Sequence, residues 1–352
     1  MKIPYRISIL AVATLFAACS GGGKETAPGF SEPVALTADS ITISQIIDPF
    51  QWTSVGGHCV ILGKSTEKAL HVYSFPDFEY RYSALTRGQG PGELGPYAFI
   101  IPGDVSSGRL FLHERLTSNA LSEFSVSDTE LSLCGEPAIQ KGSLICVTQD
   151  TLVVKEKKRY KEEKCYTTLE STEHPGMELD SMVNYNIYKI KESANSISIF
   201  KMNAPFYLCK DDTLVMAYKD TRRLDFSDIS KGKFKTFKTL GDNSTLKELE
   251  SRITDMGNGM WSFGGQGEFF AAADASADYI YVLLCRYSPE HPDDMSKKSS
   301  SVLVYDWKGN EVRRFDLDKY VNMMVADRKT GNLFCYDSAL DFERVYVYRP
   351  NI

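Results

Sequence analysis

The sequence lacks the patterns by which several large classes of functional site are recognised. It holds eight cysteines but no Cys-x-x-Cys pair, which argues against a structural zinc site and against a dithiol redox centre. Its five histidines are scattered, so their spacing supports no Ser-His-Asp or Cys-His order. We therefore expect no catalytic residues, no cofactor and no metal ligands. Whether Cys134 pairs with Cys146 or Cys165 stays open.

An excess of basic residues is also lacking. The chain has 40 Lys and Arg against 46 Asp and Glu, which gives a formal net charge of −6. Such a chain lacks the positive field that binding to phosphate backbones requires. Nucleic acid is therefore excluded as an expected partner, and charge alone would not hold the protein on anionic lipid headgroups.

Long helical patterns are absent as well. From residue 34 onward the chain consists of short runs rich in β-branched and aromatic residues, separated by Gly, Asp, Asn, Pro and Ser. This pattern predicts short β-strands. The best helical candidate is 245–254, with Leu246, Leu249 and Ile253 on one face. We expect this helix to be an insertion in an all-β fold.

The first residues carry the clearest signal that is present. Residues 1–18 combine Lys2 and Arg6 with a short apolar core and end just before Cys19, as a secretory signal peptide does. They resemble a lipoprotein signal, although Phe16 stands where leucine is commonest. A plain secreted protein is the alternative. The lipoprotein interpretation predicts lipidation at Cys19, a flexible spacer over 19–33 and an envelope location, with Ser20 favouring the outer membrane.

A loose repeat extends over the remaining residues, 34–352, which we expect to form one domain. An apolar strand ending in an aromatic residue recurs about every 40 to 80 residues, close to the length of one four-stranded propeller blade. The six aromatic anchors are Tyr73, Phe124, Tyr166, Phe226, Tyr305 and Tyr348. They predict a six-bladed β-propeller of four-stranded antiparallel blades, closed by a strand from 34–43. Ile199 and Phe200 also fit the pattern, so seven blades is the alternative.

A glycine-rich loop is the one motif that invites a chemical interpretation. It comprises Arg87, Gly88, Gln89, Gly90, Pro91, Gly92 and Glu93. The dinucleotide-binding fingerprint is not met, because Glu93 stands where that fingerprint has glycine and no helical pattern follows. We expect a tight turn between blades, in which the glycines take positive φ values and Arg87 and Glu93 fix the loop.

This loop, the preceding segment 70–78, the lipoprotein signal and segment 302–311 together resemble a known family. They are similar to the TolB-like six-bladed propellers that occur as lipoproteins in Bacteroidota, a largely uncharacterised family. The resemblance covers the whole chain after the signal peptide. It implies the propeller fold and carries no known activity. The lysine-rich segment 155–164 does not match the family pattern.

Strand order in an antiparallel meander sorts the loops onto two faces. The glycine loop should share a face with the long, charged segments 114–120, 155–164 and 287–300, and loops on a rigid scaffold are where binding residues concentrate. Within the last segment we name Tyr287, Glu290 and His291 as candidate binding residues. A metal site formed by Glu290, His291 and Asp293 is the less favoured interpretation, because their spacing matches no known ligand set.

These observations lead to a hypothesis of function. We expect a lipid-anchored envelope propeller that binds a protein or glycan partner through this face. The alternative is a polysaccharide-active hydrolase or lyase that uses the central channel, which would need a cluster of Asp, Glu, His and Arg at the channel mouth. A third possibility is a structural place in a larger outer-membrane complex.

Overall fold

The computed structural model describes residues 30–352 except 31, 46, 89, 91–92, 116–117, 149–151, 160–161, 163, 194–195, 258–259, 264–266 and 340–341. The predicted signal peptide, Cys19 and most of the predicted spacer lie outside the described residues. The described chain starts with two short strands, β1 (Val34–Leu36) and β2 (Asp39–Thr42). In the described part of the chain, no helix is long and apolar enough to cross a membrane.

Six antiparallel blades follow, and three of them precede residue 184. Blade 1 contains β3 (Pro49–Val55), β4 (His58–Gly63), β5 (Lys68–Ser74) and β6 (Tyr80–Thr86). Blade 2 contains β7 (Ala98–Ile101), β8 (Arg109–Glu114), β9 (Ala120–Val126) and β10 (Leu131–Leu133), with β11 (Ala138–Ile139) also paired to β9. Blade 3 contains β12 (Ser143–Val147), β13 (Leu152–Arg159), β14 (Lys164–Ser171) and β15 (Glu178–Val183).

A hairpin of two strands separates blade 3 from blade 4. It consists of β16 (Ile187–Ser193) and β17 (Ser196–Met202). Blade 4 then contains β18 (Pro205–Lys210), β19 (Thr213–Tyr218), β20 (Arg223–Asp228) and β21 (Lys235–Leu240), with a 3-10 turn at Ser230–Gly232. Ile199 and Phe200 lie in the hairpin, which is not a blade, so the alternative of seven blades is wrong.

A second insertion separates blade 4 from blade 5. It holds α1 (Leu246–Glu250), β22 (Ile253–Gly257) and β23 (Met260–Phe263). Thr245 caps α1 in a capping box with Glu248. The predicted helix 245–254 was therefore right at its start and too long, because Ile253 belongs to a strand.

Blades 5 and 6 complete the ring. Blade 5 contains β24 (Glu268–Ala275), β25 (Tyr279–Arg286), β26 (Ser299–Asp306) and β27 (Glu311–Leu317), with a 3-10 turn at Met295–Lys297. Blade 6 contains β28 (Met323–Ala326), β29 (Leu333–Tyr336) and β30 (Arg344–Tyr348).

The N-terminal segment closes the ring. Strand β2 pairs antiparallel with β30 and supplies the outer strand of blade 6. Strand β1 adds to the outer edge of blade 5 in parallel with β27. The two added strands thereby become the outermost strands of blades 5 and 6. The prediction that 34–43 supplies the closing strand is confirmed.

The six aromatic anchors of the sequence repeat occupy the same place in every blade. Each lies on the third strand, and five of them are buried. The apolar core is divided into six clusters, and each cluster fills the space between two neighbouring blades. Strands such as His58–Gly63 are buried on both faces, which explains why they are continuous apolar runs. The six-bladed all-β fold predicted from the repeat is confirmed.

The alternating direction of the strands gives the ring two different faces. One face carries the connections between successive blades and those between second and third strands, including 87–97, 184–204, 241–267 and 287–298. We call it the loop face. The opposite face carries short turns, of which 102–108 is the longest. The long connections therefore lie together, as the strand-order argument predicted.

Candidate binding site at the central channel

The inner strands of all six blades surround a central channel. Successive inner strands contact one another around the ring, and β28 meets β3 to complete it. The channel contains a cavity of about 500 Å³. This volume falls in the range of sites that hold small molecules, about 300 to 1,000 Å³.

One end of the channel is crossed by the turn 102–108 of blade 2. The amide of Asp104 donates to the carbonyl of Val147 in blade 3 at 3.0 Å, and the amide of Val105 donates to the carbonyl of Cys209 in blade 4 at 2.9 Å. Arg328 of blade 6 donates from Nη1 to the carbonyl of Val105 at 3.0 Å. The turn thus joins four blades, and we call this end of the channel the closed end.

Charged groups at the closed end are half-buried and hydrogen-bonded to the backbone. The Asp274 carboxylate accepts the amides of Ala275 at 2.9 Å and Ala326 at 2.8 Å, one on each oxygen. Burial raises the pKa of Asp274, and the charge of Arg328 opposes that rise. Burial likewise lowers the pKa of Arg328, against the attraction of Asp274 and Asp104. These groups hold the end of the ring together.

The other end of the channel opens on the loop face, and Arg115 lies there. Its guanidinium lies over the Phe99 ring at 4.8 Å, and its Nη2 donates to the carbonyl of Leu144 at 2.9 Å. Its Nε is buried and has no hydrogen-bond partner in the described structure. Among the described residues, no carboxylate lies within ion-pairing distance of Arg115, so this cation keeps unused donor capacity.

Glu156 is the carboxylate whose charge attracts Arg115, and both of its oxygens already accept hydrogen bonds. It accepts Lys201 Nζ on one oxygen at 2.6 Å and Asn186 Nδ2 on the other at 2.6 Å. Its attraction acts on Arg115 only over a longer distance, and burial lowers the pKa of the Arg115 guanidinium against that attraction. Burial and the nearby charge of Lys201 also lower the pKa of Lys158. These groups comprise three cations and one carboxylate, and the carboxylate is paired with Lys201.

Apolar and aromatic side chains form most of the channel wall. They include Phe50, Phe99, Ile145, Phe206, Ala271 and Met323. The Phe50 ring lies 5.8 Å from the Phe99 ring and is 41% exposed although it is large and apolar. Exposed aromatic surface beside an open cavity is typical of a site that contacts a ligand or partner.

The glycine loop has a structural role in this arrangement. Arg87 donates from Nη2 to the carbonyl of Gly63, and Glu93 Oε2 accepts the amide of Gly90 at 2.8 Å. Gly88 and Gly90 do not have left-handed φ values, so the predicted reason for these glycines was wrong. A Cβ on Gly88 would lie 1.8 Å from Glu93 Oε2; the glycine allows the Glu93 side chain to approach. Gln89, Pro91 and Gly92 lie outside the described residues.

The connection 287–298 carries the other predicted site residues. Tyr287 donates its amide to the carbonyl of Gly267 at 2.8 Å, and its ring meets Phe269 at 6.1 Å. Glu290 and His291 are exposed at the tip, which is closed by a bridge between Ser288 and His291. No group of His, Cys, Asp and Glu able to hold a metal occurs within the described residues.

The lysine-rich segment differs from its prediction as a loop. Lys155 to Arg159 belong to strand β13, and Lys155 forms a buried ion pair with Glu170 at 2.6 Å. Lys157 pairs with Glu178 at 2.8 Å. The Arg159 guanidinium lies 4.1 Å from the centre of the Tyr166 ring. These positive charges serve mainly to hold blade 3 and do not form a free basic surface.

The structure brings together residues that the sequence analysis did not single out. Arg115 lies within the predicted segment 114–120 but was not named. Glu156 comes from blade 3 and Lys201 from the hairpin that follows it, and they join Arg115 only when the ring closes. Phe50 and Trp52 lie two residues apart on the inner strand β3. Two large aromatic residues this close together were the feature of the sequence that could have indicated a site here. Of the seven described cysteines, all are free thiols, so Cys134 pairs with neither Cys146 nor Cys165.

Comparison with known proteins agrees with the ring. A protein of Bacteroides fragilis NCTC 9343 described as exported is 8% identical, with a TM-score of 0.50 over 91% of this chain and 97% of that one. The structure of U3-55K is 9% identical, with a TM-score of 0.44 over 89% of this chain and 98% of that one. At such identity the first likeness shows the fold alone. The search of curated proteins finds no match.

The comparison with family models identifies the family, which these structural similarities do not. The model of the family described as TolB-like 6-blade propeller-like matches residues 30–329. This range includes blades 1 to 5 and the start of blade 6. It confirms the resemblance carried by the glycine loop and by segment 302–311. The chain belongs to the TolB-like six-bladed propeller family.

Proposed function

We propose that this protein is a lipid-anchored binding module of the cell envelope, which holds a protein or glycan partner on its loop face. The observation that carries the proposal is the difference between the two faces. The closed end is sealed by hydrogen bonds among four blades, whereas the loop face combines the long connections with an open cavity and an exposed aromatic ring. Binding residues concentrate on loops that a rigid scaffold positions.

Anchoring rests on the signal at the start of the sequence. Lipidation of Cys19 would tether the propeller through the spacer 19–33 to the outer membrane. The formal net charge becomes −8 once residues 1–18 are removed with Lys2 and Arg6, so the lipid would supply the attachment. A Cys19→Ser chain should move from the membrane fraction to the soluble extracytoplasmic fraction. Retention in the membrane would contradict anchoring at this residue.

The channel gives little support to the alternative function, a polysaccharide hydrolase or lyase. Such chemistry needs carboxyl groups that are available to the substrate. Both oxygens of Glu156 accept hydrogen bonds from side chains, and both oxygens of Asp274 accept backbone amides. Among the described residues that line the cavity, none is a histidine. We therefore favour binding over catalysis.

The proposal is tested with the native, lipid-anchored chain. It is crosslinked mildly in its own membrane and its neighbours are identified by mass spectrometry, while the purified chain is screened against envelope polysaccharides. A partner recovered in a reproducible ratio, or saturable binding of one polysaccharide, is the expected result. Recovery of the chain alone together with no polysaccharide binding would contradict it.

A further inference from the structure

The open end of the channel has the features of a site for a small anion with an apolar body. Gly103 and Val105 of the turn 102–108 line the cavity at the closed end. Its wall is mostly apolar and aromatic. Its mouth holds a cation with unused donor capacity. The size and the wall of the cavity restrict the body of the ligand, and the cation at the mouth restricts its charged group.

Size and wall composition define the body of the ligand. A cavity of about 500 Å³ accommodates a chain or ring system of small-molecule size. Phe50, Phe99 and Phe206 line it together with Ile145, Ala271 and Met323. Removing apolar surface from water is favourable at roughly 25 cal/mol per Å². The wall therefore selects for an apolar body.

Charge at the mouth defines the head of the ligand. Arg115 already donates from Nη2 to Leu144, which fixes the guanidinium in position, while its Nη1 is not buried and makes no hydrogen bond among the described residues. Glu156 is bound to Lys201 and Asn186. The guanidinium fork matches the geometry of a carboxylate. An anionic head would meet donors without competing for an existing ion pair.

We propose that the open end of the channel binds a small apolar carboxylate, the size of a medium-chain fatty acid, with its carboxylate on Arg115 and its body against the aromatic wall. The inference deepens the proposed function and rests on it in one respect, namely that the loop face is the binding face. It assigns Arg115, Phe50 and Phe206 to a site that the glycine loop does not form.

The test compares three probes that share a ten-carbon chain. Decanoate, decanol and decyltrimethylammonium are titrated below micelle formation into the purified chain by calorimetry. Decanoate should bind saturably with one site per chain. Decanol should bind at least about tenfold more weakly, because it lacks the charge-assisted hydrogen bonds, and the cation should bind more weakly still. No decanoate binding, or equal binding of decanoate and decanol, would overturn the proposal.

Variants then locate the site. Arg115→Gln should reduce decanoate affinity to that of decanol and leave decanol unchanged. Arg109→Gln is the matched control and should bind as wild type does, because Arg109 is the exposed first residue of β8, at the opposite end of the strand from Arg115. Ala271→Leu fills the cavity and should weaken both probes. A preference for decanoate that survives Arg115→Gln in a folded chain would contradict the assignment, and circular dichroism checks folding of each variant.

The outcome is separable from that of the proposed function. The titration uses the purified chain and no partner, whereas the crosslinking experiment uses the membrane-anchored chain and no added probe. A recovered partner together with absent decanoate binding would remove this inference and leave the proposed function standing. Decanoate binding without any partner would retain the inference and remove the partner.

Discussion

The arginines at the two ends of the channel have different carboxylates around them. At the closed end, Arg328 is half-buried, donates to a backbone carbonyl and is attracted by Asp274 and Asp104. At the open end, Arg115 also donates to a backbone carbonyl, but it is attracted only by Glu156, whose two oxygens already accept other side chains. Both arginines keep a buried Nε without a hydrogen-bond partner in the described structure. The difference therefore lies in the carboxylates: those at the closed end favour stability, while none is free to occupy Arg115 at the open end.

The largest expected effect comes from the closed end. Arg328→Met would leave Asp274 and Asp104 without their cation and remove the hydrogen bond to Val105. Losing this hydrogen bond to a charged donor together with the attraction of the two carboxylates should cost about 3 kcal/mol of the free energy of unfolding. Urea unfolding should show a loss of this size, with a much smaller loss for Arg115→Met. Equal losses for the two variants would contradict the conclusion that the two arginines differ in their contribution to stability.

The next effect concerns an ion-pair cluster on the loop face, in which Glu268 joins two arginines; we call it the clamp. Arg286 Nε donates to Glu268 at 2.7 Å, and Arg222 from blade 4 pairs with the other oxygen. Burial would raise the pKa of Glu268, but the hydrogen bond from Arg286 and the two positive charges lower it overall. Glu268→Gln should cost about 1 to 3 kcal/mol of the free energy of unfolding near pH 7.

The pH dependence of that clamp has a definite sign. A carboxyl whose pKa is lowered on folding stabilises the protein above its ordinary pKa, and this contribution is lost as pH falls through the lowered pKa. The difference between wild type and Glu268→Gln should therefore shrink below about pH 4. Glu311→Gln is the control, because burial raises the pKa of Glu311. A constant difference across pH would contradict the ion-pair account.

A smaller effect is expected beneath the open end. His113 is fully buried, and its Nε2 donates to the carbonyl of Gln140 at 2.7 Å. Burial lowers its pKa, so the unfolded chain binds a proton first as pH falls through about 6.5. Stability should fall below that pH by up to about 1.4 kcal/mol per pH unit.

Two histidine variants isolate this contribution. His113→Gln should flatten the decline in unfolding midpoint between about pH 7 and pH 5. His291→Gln changes an exposed histidine on the same face and should leave the decline as in wild type. If both variants behave alike, His113 is not the group that titrates.

The smallest effect is expected at the tip of the connection 287–298. Glu290 and His291 are exposed, and substitutions at such positions change stability little. The double variant Glu290→Ala and His291→Ala should keep the unfolding midpoint of wild type and weaken capture of a partner on the loop face. A lowered midpoint would show that this tip is structural, like the closed end.

The fold could be predicted from the sequence because its repeat is local. Each aromatic anchor lies on a third strand, and the closing strand precedes the first blade, so both features are visible in short segments. The short strand β28 (Met323–Ala326) and the two inserted hairpins were missed. Four apolar residues give little periodicity, and Ile253 fits a helical face as well as a strand.

The candidate site could not be predicted in the same way. Arg115, Glu156 and Lys201 lie in separate parts of the chain and meet only in the closed ring. The glycine loop drew attention because its composition is unusual, yet Glu93 and Arg87 use their side chains to hold the loop itself. The glycine content of a segment indicates a tight turn. Whether a side-chain donor is free to bind a ligand depends on its hydrogen-bond partners, which only the folded structure shows.

One measurement tests the central claim most directly. A photoreactive amino acid is placed either at Glu290 on the loop face or at Thr129, an exposed residue of a short turn on the opposite face, and each chain is irradiated in its native membrane. The account predicts a discrete crosslinked partner from position 290 and none from position 129. Crosslinks from position 129 alone, or equal crosslinks from both, would contradict a binding face at the open end of the channel.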